Sequence, residues 1–78
     1  MNNRVCLCDI ECGNKCRVLE IQAKGSVKRR FGDLGIICGT ELEKVLESPL
    51  GDPSAFLVCG AVIALREEDA KLICVEVI

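Results

Sequence analysis

Histidine is absent from this chain, and so are tryptophan and tyrosine. The missing imidazole removes the commonest general base and the commonest metal ligand together. A cysteine nucleophile would lack its usual proton acceptor. The segment KGSVKRR around Gly25 does not have the spacing of a phosphate-binding loop. Catalysis is not expected. Aromatic residues are almost missing: Phe31 and Phe56 are the whole supply, which leaves little on which to stack bases. Neither sign of charge dominates, with ten basic and twelve acidic side chains and a net charge of −2. That balance gives no long-range attraction to nucleic acid or to an anionic membrane. No apolar run approaches the roughly eighteen residues of a membrane span, and MNNRVCLCDI lacks the apolar stretch of a secretory signal. We expect a cytosolic protein that neither binds nucleic acid nor inserts into a membrane.

What is present is aliphatic. Half of the 78 residues are hydrophobic, so the core must be built from valine, isoleucine, leucine and some cysteine. That length allows one domain, residues 1–78, with a thin margin of stability. Seven cysteines are an odd number, and a reducing compartment works against a disulfide framework.

The hydrophobic pattern changes period along the chain. Leu7 and Ile10 lie three apart with Gly13 after them, as in one short helical turn. CRVLEIQ, residues 16–22, reads as a first strand. Val27, Phe31 and Leu34 mark one face of a short helix over 26–34, with Ser26 as N-cap and Gly35 as the residue past its end. Gly32 weakens that helix, and close packing by a neighbour would account for it. In TELEKVLES, residues 40–48, Leu42 and Leu46 suit one strand face, but Val45 breaks the alternation and predicts a bulge. The two prolines bracket Pro-Leu-Gly-Asp-Pro, 49–53, a compact turn. AFLVCG and AVIALR follow as two strands about Gly60. Glu67, Glu68 and Asp69 open a helical turn, where acids favour a helix start, and CVEVI is a last strand. The expectation is a mainly β protein: a small barrel of about five strands, a short helix between the first two and a helical turn before the last.

RRFGDLGIICGTELE and SPLGDPSAFLVCGAVIALREEDAKLICVE together resemble the FeoA family of small ferrous-iron transport proteins. The matching pieces are Arg29-Arg30, the Gly35 to Thr40 step, the Pro49 to Pro53 turn, and Ala64-Leu65-Arg66 followed by Glu67, Glu68 and Ala70. Leu7, Ile10, Gly13 and Val18 extend the likeness toward the N-terminus. The resemblance implies an SH3-like barrel in the cytosol. It also implies a partner, the FeoB-type membrane transporter that couples a GTPase domain to ferrous-iron import. The role implied is that of a regulator or assembly partner, with self-association left open.

Two sets of residues carry candidate function. Cys6, Cys8, Cys12 and Cys16, in CLCDIECGNKC, have enough thiolates for a tetrahedral site that would take Zn(II) or Fe(II), and soft sulfur would also hold copper(I) or an iron–sulfur cluster. Structural zinc usually sits between two separated cysteine pairs, so this compressed spacing leaves two readings: a thiolate metal module, or free cysteines packed as small apolar groups. Cys38, Cys59 and Cys74 are dispersed and read as packing. For a partner, Arg29 and Arg30 can hold carboxylates bidentately, while Leu57 and Cys59, two apart in a strand, can make an apolar spot.

Overall fold

Why this chain folds into strands is visible in its burial pattern. In β2 (Lys15–Ile21) Cys16 and Val18 are buried; in β4 (Ser54–Val58) Ser54, Phe56 and Val58 are; in β6 (Ile73–Val77) Ile73 and Val75 are. Each is a period of two, which places alternate side chains on one face of a sheet. The structure, a computed structural model, describes residues 4–78; residues 1–3 of the expected domain lie outside the described residues. The other elements are β1 (Arg4–Cys6), a 3-10 turn (Leu7–Asp9), α1 (Gly25–Asp33), β3 (Glu41–Glu47), β5 (Ala61–Leu65) and α2 (Glu67–Ala70). The strands form one antiparallel sheet in the order β1-β6-β2-β3-β4-β5.

The sheet wraps a single cluster. Leu7, Ile10, Cys16, Val18, Phe31, Ile36, Leu42, Phe56, Val58, Leu65, Ala70, Ile73 and Val75 are all buried in it. Two register shifts, at Val18/Glu20 and at Lys44/Leu46, bend the strands. The edges β1 and β5 do not pair with each other, so the fold is barrel-like without being closed by hydrogen bonds. The mainly β architecture, the helix after the first long strand and the helical turn before the last strand are as expected. There are six strands among the described residues, because the three-residue β1 adds to β6 through Arg4↔Glu76, Val5↔Val75 and Cys6↔Cys74.

Four local details differ from expectation or sharpen it. Helix α1 begins at Gly25 with Lys24 at the N-cap and no side-chain cap, so Ser26 lies inside the first turn and caps nothing. Its other end closes as foreseen: Ile36 N–H donates to Phe31 O at 2.8 Å and Gly35 N–H to Gly32 O at 3.0 Å, with Gly35 at φ +87°. This is a Schellman motif, and Phe31 and Ile36 supply its buried apolar contact. The bulge at Val45 turns Leu46 outward, 65% exposed, so Leu46 does not share the inner face of Leu42. Cys59 is the first residue of a two-residue hairpin loop with Gly60, at φ +50° and +85°. Both values are those of a type I′ turn.

The expected neighbour at Gly32 is not there: a Cβ built on Gly32 meets nothing within 4 Å, whereas one on Gly35 would sit 3.2 Å from Cys59 Sγ at a left-handed φ. Gly32→Ala should therefore stabilise the protein by about 1 kcal/mol. Gly35→Ala should destabilise it by about 1–2 kcal/mol. Urea denaturation midpoints at unchanged slope check both signs.

Candidate functional site

Leu7 organises the thiols. Its side chain is fully buried, which leaves Cys6 and Cys8 half-buried on either side of it at the end of β1 and in the 3-10 turn. Cys8 Sγ donates to Cys6 Sγ at 3.1 Å and lies 3.8 Å from Asp9 Oδ1. Cys6 Sγ in turn donates to Lys71 O at 3.2 Å, just past α2. The donor atoms of Cys6, Cys8 and Asp9 all fall within 4.8 Å of one another. Burial pushes the Cys8 thiol up to about 12, and the hydrogen bond to Cys6 and the charges of Cys6, Asp9 and Glu67 push the same way. Every one of these influences opposes a bare thiolate at Cys8.

The four-cysteine arrangement does not assemble. Cys12 is exposed on the loop after the turn, and Cys16 is fully buried in the core, paired in register with Leu42. The reason is the strand period: Cys16 shares the inner face with Val18, so its sulfur packs among aliphatic side chains. Burial also pushes the Cys16 thiol up to about 11. Cys38 and Cys59 are exposed, and Cys74 is half-buried opposite Cys6 in the ladder.

The residues read as partner contacts are also separated. Arg30 is engaged: its guanidinium pairs with Asp69 at 2.8 Å, tying α1 to α2. Among the described residues Arg29 and Lys28 form no ion pair, and both are exposed. Leu57 faces outward, 37% exposed, across from Val62. Cys59 is in the hairpin turn and packs toward Gly35, so the two border one shallow depression with Lys15 and Glu41 without forming a strand face.

Three features went unseen in the sequence. Asp9 joins the thiols because the 3-10 turn brings its carboxylate back toward Cys8; only the C-L-C-D spacing hinted at it. Lys44 points inward, 5% exposed, with Nζ donating to Ile10 O at 3.1 Å and to Glu47 Oε1 at 2.6 Å. A lysine between Glu43 and Val45 gives no sequence signal for that burial. A groove of about 490 Å³ lies between β2 and α1, lined by Glu20, Lys28 and the mostly apolar Ile21, Gly32, Ile36, Ile37 and Cys38. The bare Gly32 opens its floor.

Comparison with known proteins places the chain in a family. The profile of the FeoA domain matches residues 5–77. The Fe(2+) transport protein A/Fe(2+) transporter FeoB fusion protein of Porphyromonas gingivalis is 28% identical over 92% of this chain. The chain spans only 8% of the length of that relative. Among solved structures, the FeoA-like protein of Clostridium acetobutylicum is 36% identical with a TM-score of 0.89, covering 100% of this chain and 91% of that one. The zinc complex of Stenotrophomonas maltophilia FeoA, an SH3-domain protein, is 28% identical with a TM-score of 0.80, over 92% and 89% of the two chains. The barrel-like fold is thus SH3-like.

The thiol environments predict an order of reactivity. Pulsed alkylation at pH 8 followed by mass spectrometry should label the exposed Cys12, Cys38 and Cys59 first, Cys8 slowly, and Cys16 only after unfolding. The same burial links stability to pH. With Cys16 raised from its ordinary 9.0 to about 11, its contribution is complete below about pH 9. Between about pH 9 and 11 the unfolded chain has lost the proton that the folded chain keeps, so stability falls across that window and levels off above it. Cys16→Ala should make that alkaline decline shallower, by up to about 1.4 kcal/mol per pH unit.

Proposed function

This chain belongs to the FeoA domain family, and on that footing we propose that it is a non-catalytic, cytoplasmic accessory protein of ferrous-iron uptake that docks on a FeoB-type membrane transporter. The observation that carries the reading is the Porphyromonas gingivalis relative, in which a segment like this chain and a FeoB transporter share one polypeptide. Fusion holds two modules at a high effective concentration, which is useful where the separate modules work by contact. In keeping with such a role, no helix among the described residues is long and apolar enough to cross a membrane.

The docking face we favour is α1. Arg29 is an exposed guanidinium with no ion-pair partner among the described residues, and it follows Lys28, which lines a groove where Ile37 is 57% exposed. A carboxylate on the transporter would engage Arg29, and an apolar side chain would cover Ile37. Arg30 contributes less, because Asp69 already holds it. Leu57 and Cys59 form a second, smaller contact beside the β4–β5 hairpin. Docking to one conformational state of the transporter would shift its population toward that state, which is how a protein without catalytic groups can regulate transport.

The test uses the FeoB-type transporter of the same organism, reconstituted in liposomes, with binding, nucleotide turnover and Fe(II) uptake measured as this chain is added. Saturable binding that changes turnover or uptake is expected. Arg29→Glu should weaken binding by roughly tenfold, mainly through a slower on-rate with reduced salt dependence, and leave the melting temperature unchanged. Absence of both binding and any functional change sinks the proposal.

A further inference from the structure

We propose that Cys6, Cys8 and Asp9 form a binding site for one divalent transition cation of the Zn(II) type, held by two thiolates and a carboxylate. The fourth coordination position opens onto the cleft beside Cys8. This site is separate from the docking reading and stands on the chain alone.

Distances come first. With zinc–sulfur bonds of about 2.3 Å at tetrahedral angles, two thiolate sulfurs stand about 3.8 Å apart, and a sulfur and a carboxylate oxygen somewhat closer. The Cys6 and Cys8 sulfurs are 3.1 Å apart, and Cys8 Sγ lies 3.8 Å from Asp9 Oδ1. The third edge, from Cys6 Sγ to the Asp9 carboxylate, lies within 4.8 Å, so side-chain rotation has to part the sulfurs and draw the carboxylate in by about 1 Å.

The scaffold under these donors is already fixed. Cys6 is registered against Cys74 by the β1–β6 ladder, Leu7 is locked in the core, and Ile10 N–H closes the turn on Leu7 O at 3.4 Å. Three donors within the four consecutive residues Cys6 to Asp9 need almost no loop closure, so little ordering cost opposes binding. Two thiolates and one carboxylate select a borderline-soft ion over magnesium or calcium, which take oxygen cages. Glu67 shares the cleft wall with Cys8 and adds negative charge there, while the Lys44 ammonium on the same wall is matched by Glu47.

The chemistry balances simply. Each cysteine gives up its thiol proton to solvent as its sulfur bonds the ion, so one divalent cation displaces two protons. The hydrogen bonds from Cys8 to Cys6 and from Cys6 to Ala70 O, at 3.7 Å, and to the Lys71 carbonyl are lost. That carbonyl belongs to an exposed residue at the end of α2 and can turn to water. Cys12 and Cys16 take no part, so the site has two sulfurs and not four.

The probe is Zn(II) alone, added to reduced protein under anaerobic conditions and followed by native mass spectrometry and chelator competition. One ion per chain is expected. Cys8→Ser should weaken retention by more than the roughly tenfold to hundredfold that follows loss of an outer-sphere partner. Asp9→Asn should weaken it by about tenfold, and Cys12→Ser should leave it unchanged. Circular dichroism of the metal-free variants separates lost binding from lost folding. Should Cys8→Ser not fold, Co(II) on the unaltered chain decides the matter, since the intensity of its sulfur-to-metal charge-transfer band counts thiolates. Two thiolates support the site. No retained ion, a four-thiolate spectrum, undiminished binding by a folded Cys8→Ser, or equal loss in Cys12→Ser each overturns it. The readout involves no transporter, so its failure is distinct from failure of the docking proposal.

Discussion

Strand β6 is the member on which the rest of this structure depends. It is last in the chain, yet it lies between β1 and β2 in the sheet. Val75 sits opposite Val5 on one side and Val18 on the other, and both Ile73 and Val75 are fully buried. Without that ladder β1 has no partner, β2 loses one edge, and the core opens where Leu7 and Ala70 meet it. Contacts between the two ends of a chain are entropically slow to form. Here they are made worthwhile by burying branched aliphatic side chains at roughly 25 cal/mol per Å². With only two aromatics available, the core has no large ring system to fall back on, and close aliphatic packing around Phe31 and Phe56 must suffice.

The same ladder positions the thiols. By registering Cys6 against Cys74 and sending Leu7 inward, it turns a flexible C-L-C-D sequence into a preorganised group of donors. The segment that follows is held from the opposite side by Lys44. Its backbone pairs with the 13–14 turn, Gly13 N–H donating to Lys44 O at 2.8 Å and Lys44 N–H to Asn14 O at 3.2 Å. Its ammonium reaches Ile10 O as well. A buried ammonium is costly unless its hydrogen bonds are made and a counter-charge is near; the Ile10 carbonyl and the Glu47 carboxylate meet both conditions. The outcome is a short, otherwise loop-like segment fastened at both ends.

Helix α1 shows a different balance. It has no side-chain cap at its start and a glycine in its interior, both unfavourable locally. It persists because Phe31 and Ile36 anchor its C-terminal turn in the core and Arg30 links it to Asp69 of α2. The anchoring side faces inward, which leaves Lys28, Arg29 and the groove at Gly32 on the outer side. Val27 and Leu34 pack beside Phe31 against the core, so the helix is anchored along one side and keeps Lys28 and Arg29 on the other.

Local chemistry in the sequence was enough to determine most elements of this protein. Apolar and β-branched runs between turn residues mark the long strands, Gly35 and Phe31 mark the end of α1, Val45 marks the bulge, and the acids at 67–69 mark α2, because each depends on neighbours within a few residues. The order of motifs from Arg29 to Ala70 was enough to determine the family resemblance. Only the tertiary structure decided the rest. β1 is three residues long and exists through β6, some 70 positions away. Cys16 and Cys8 read alike in sequence, yet strand register sends one into the core and leaves the other beside Asp9. Arg29 and Arg30 are adjacent, chemically identical and both exposed, yet Asp69 of α2 pairs with Arg30 and leaves Arg29 without an ion-pair partner among the described residues. In each case the deciding contact comes from a distant part of the chain, and pattern within a window carries no information about which distant side chain will arrive.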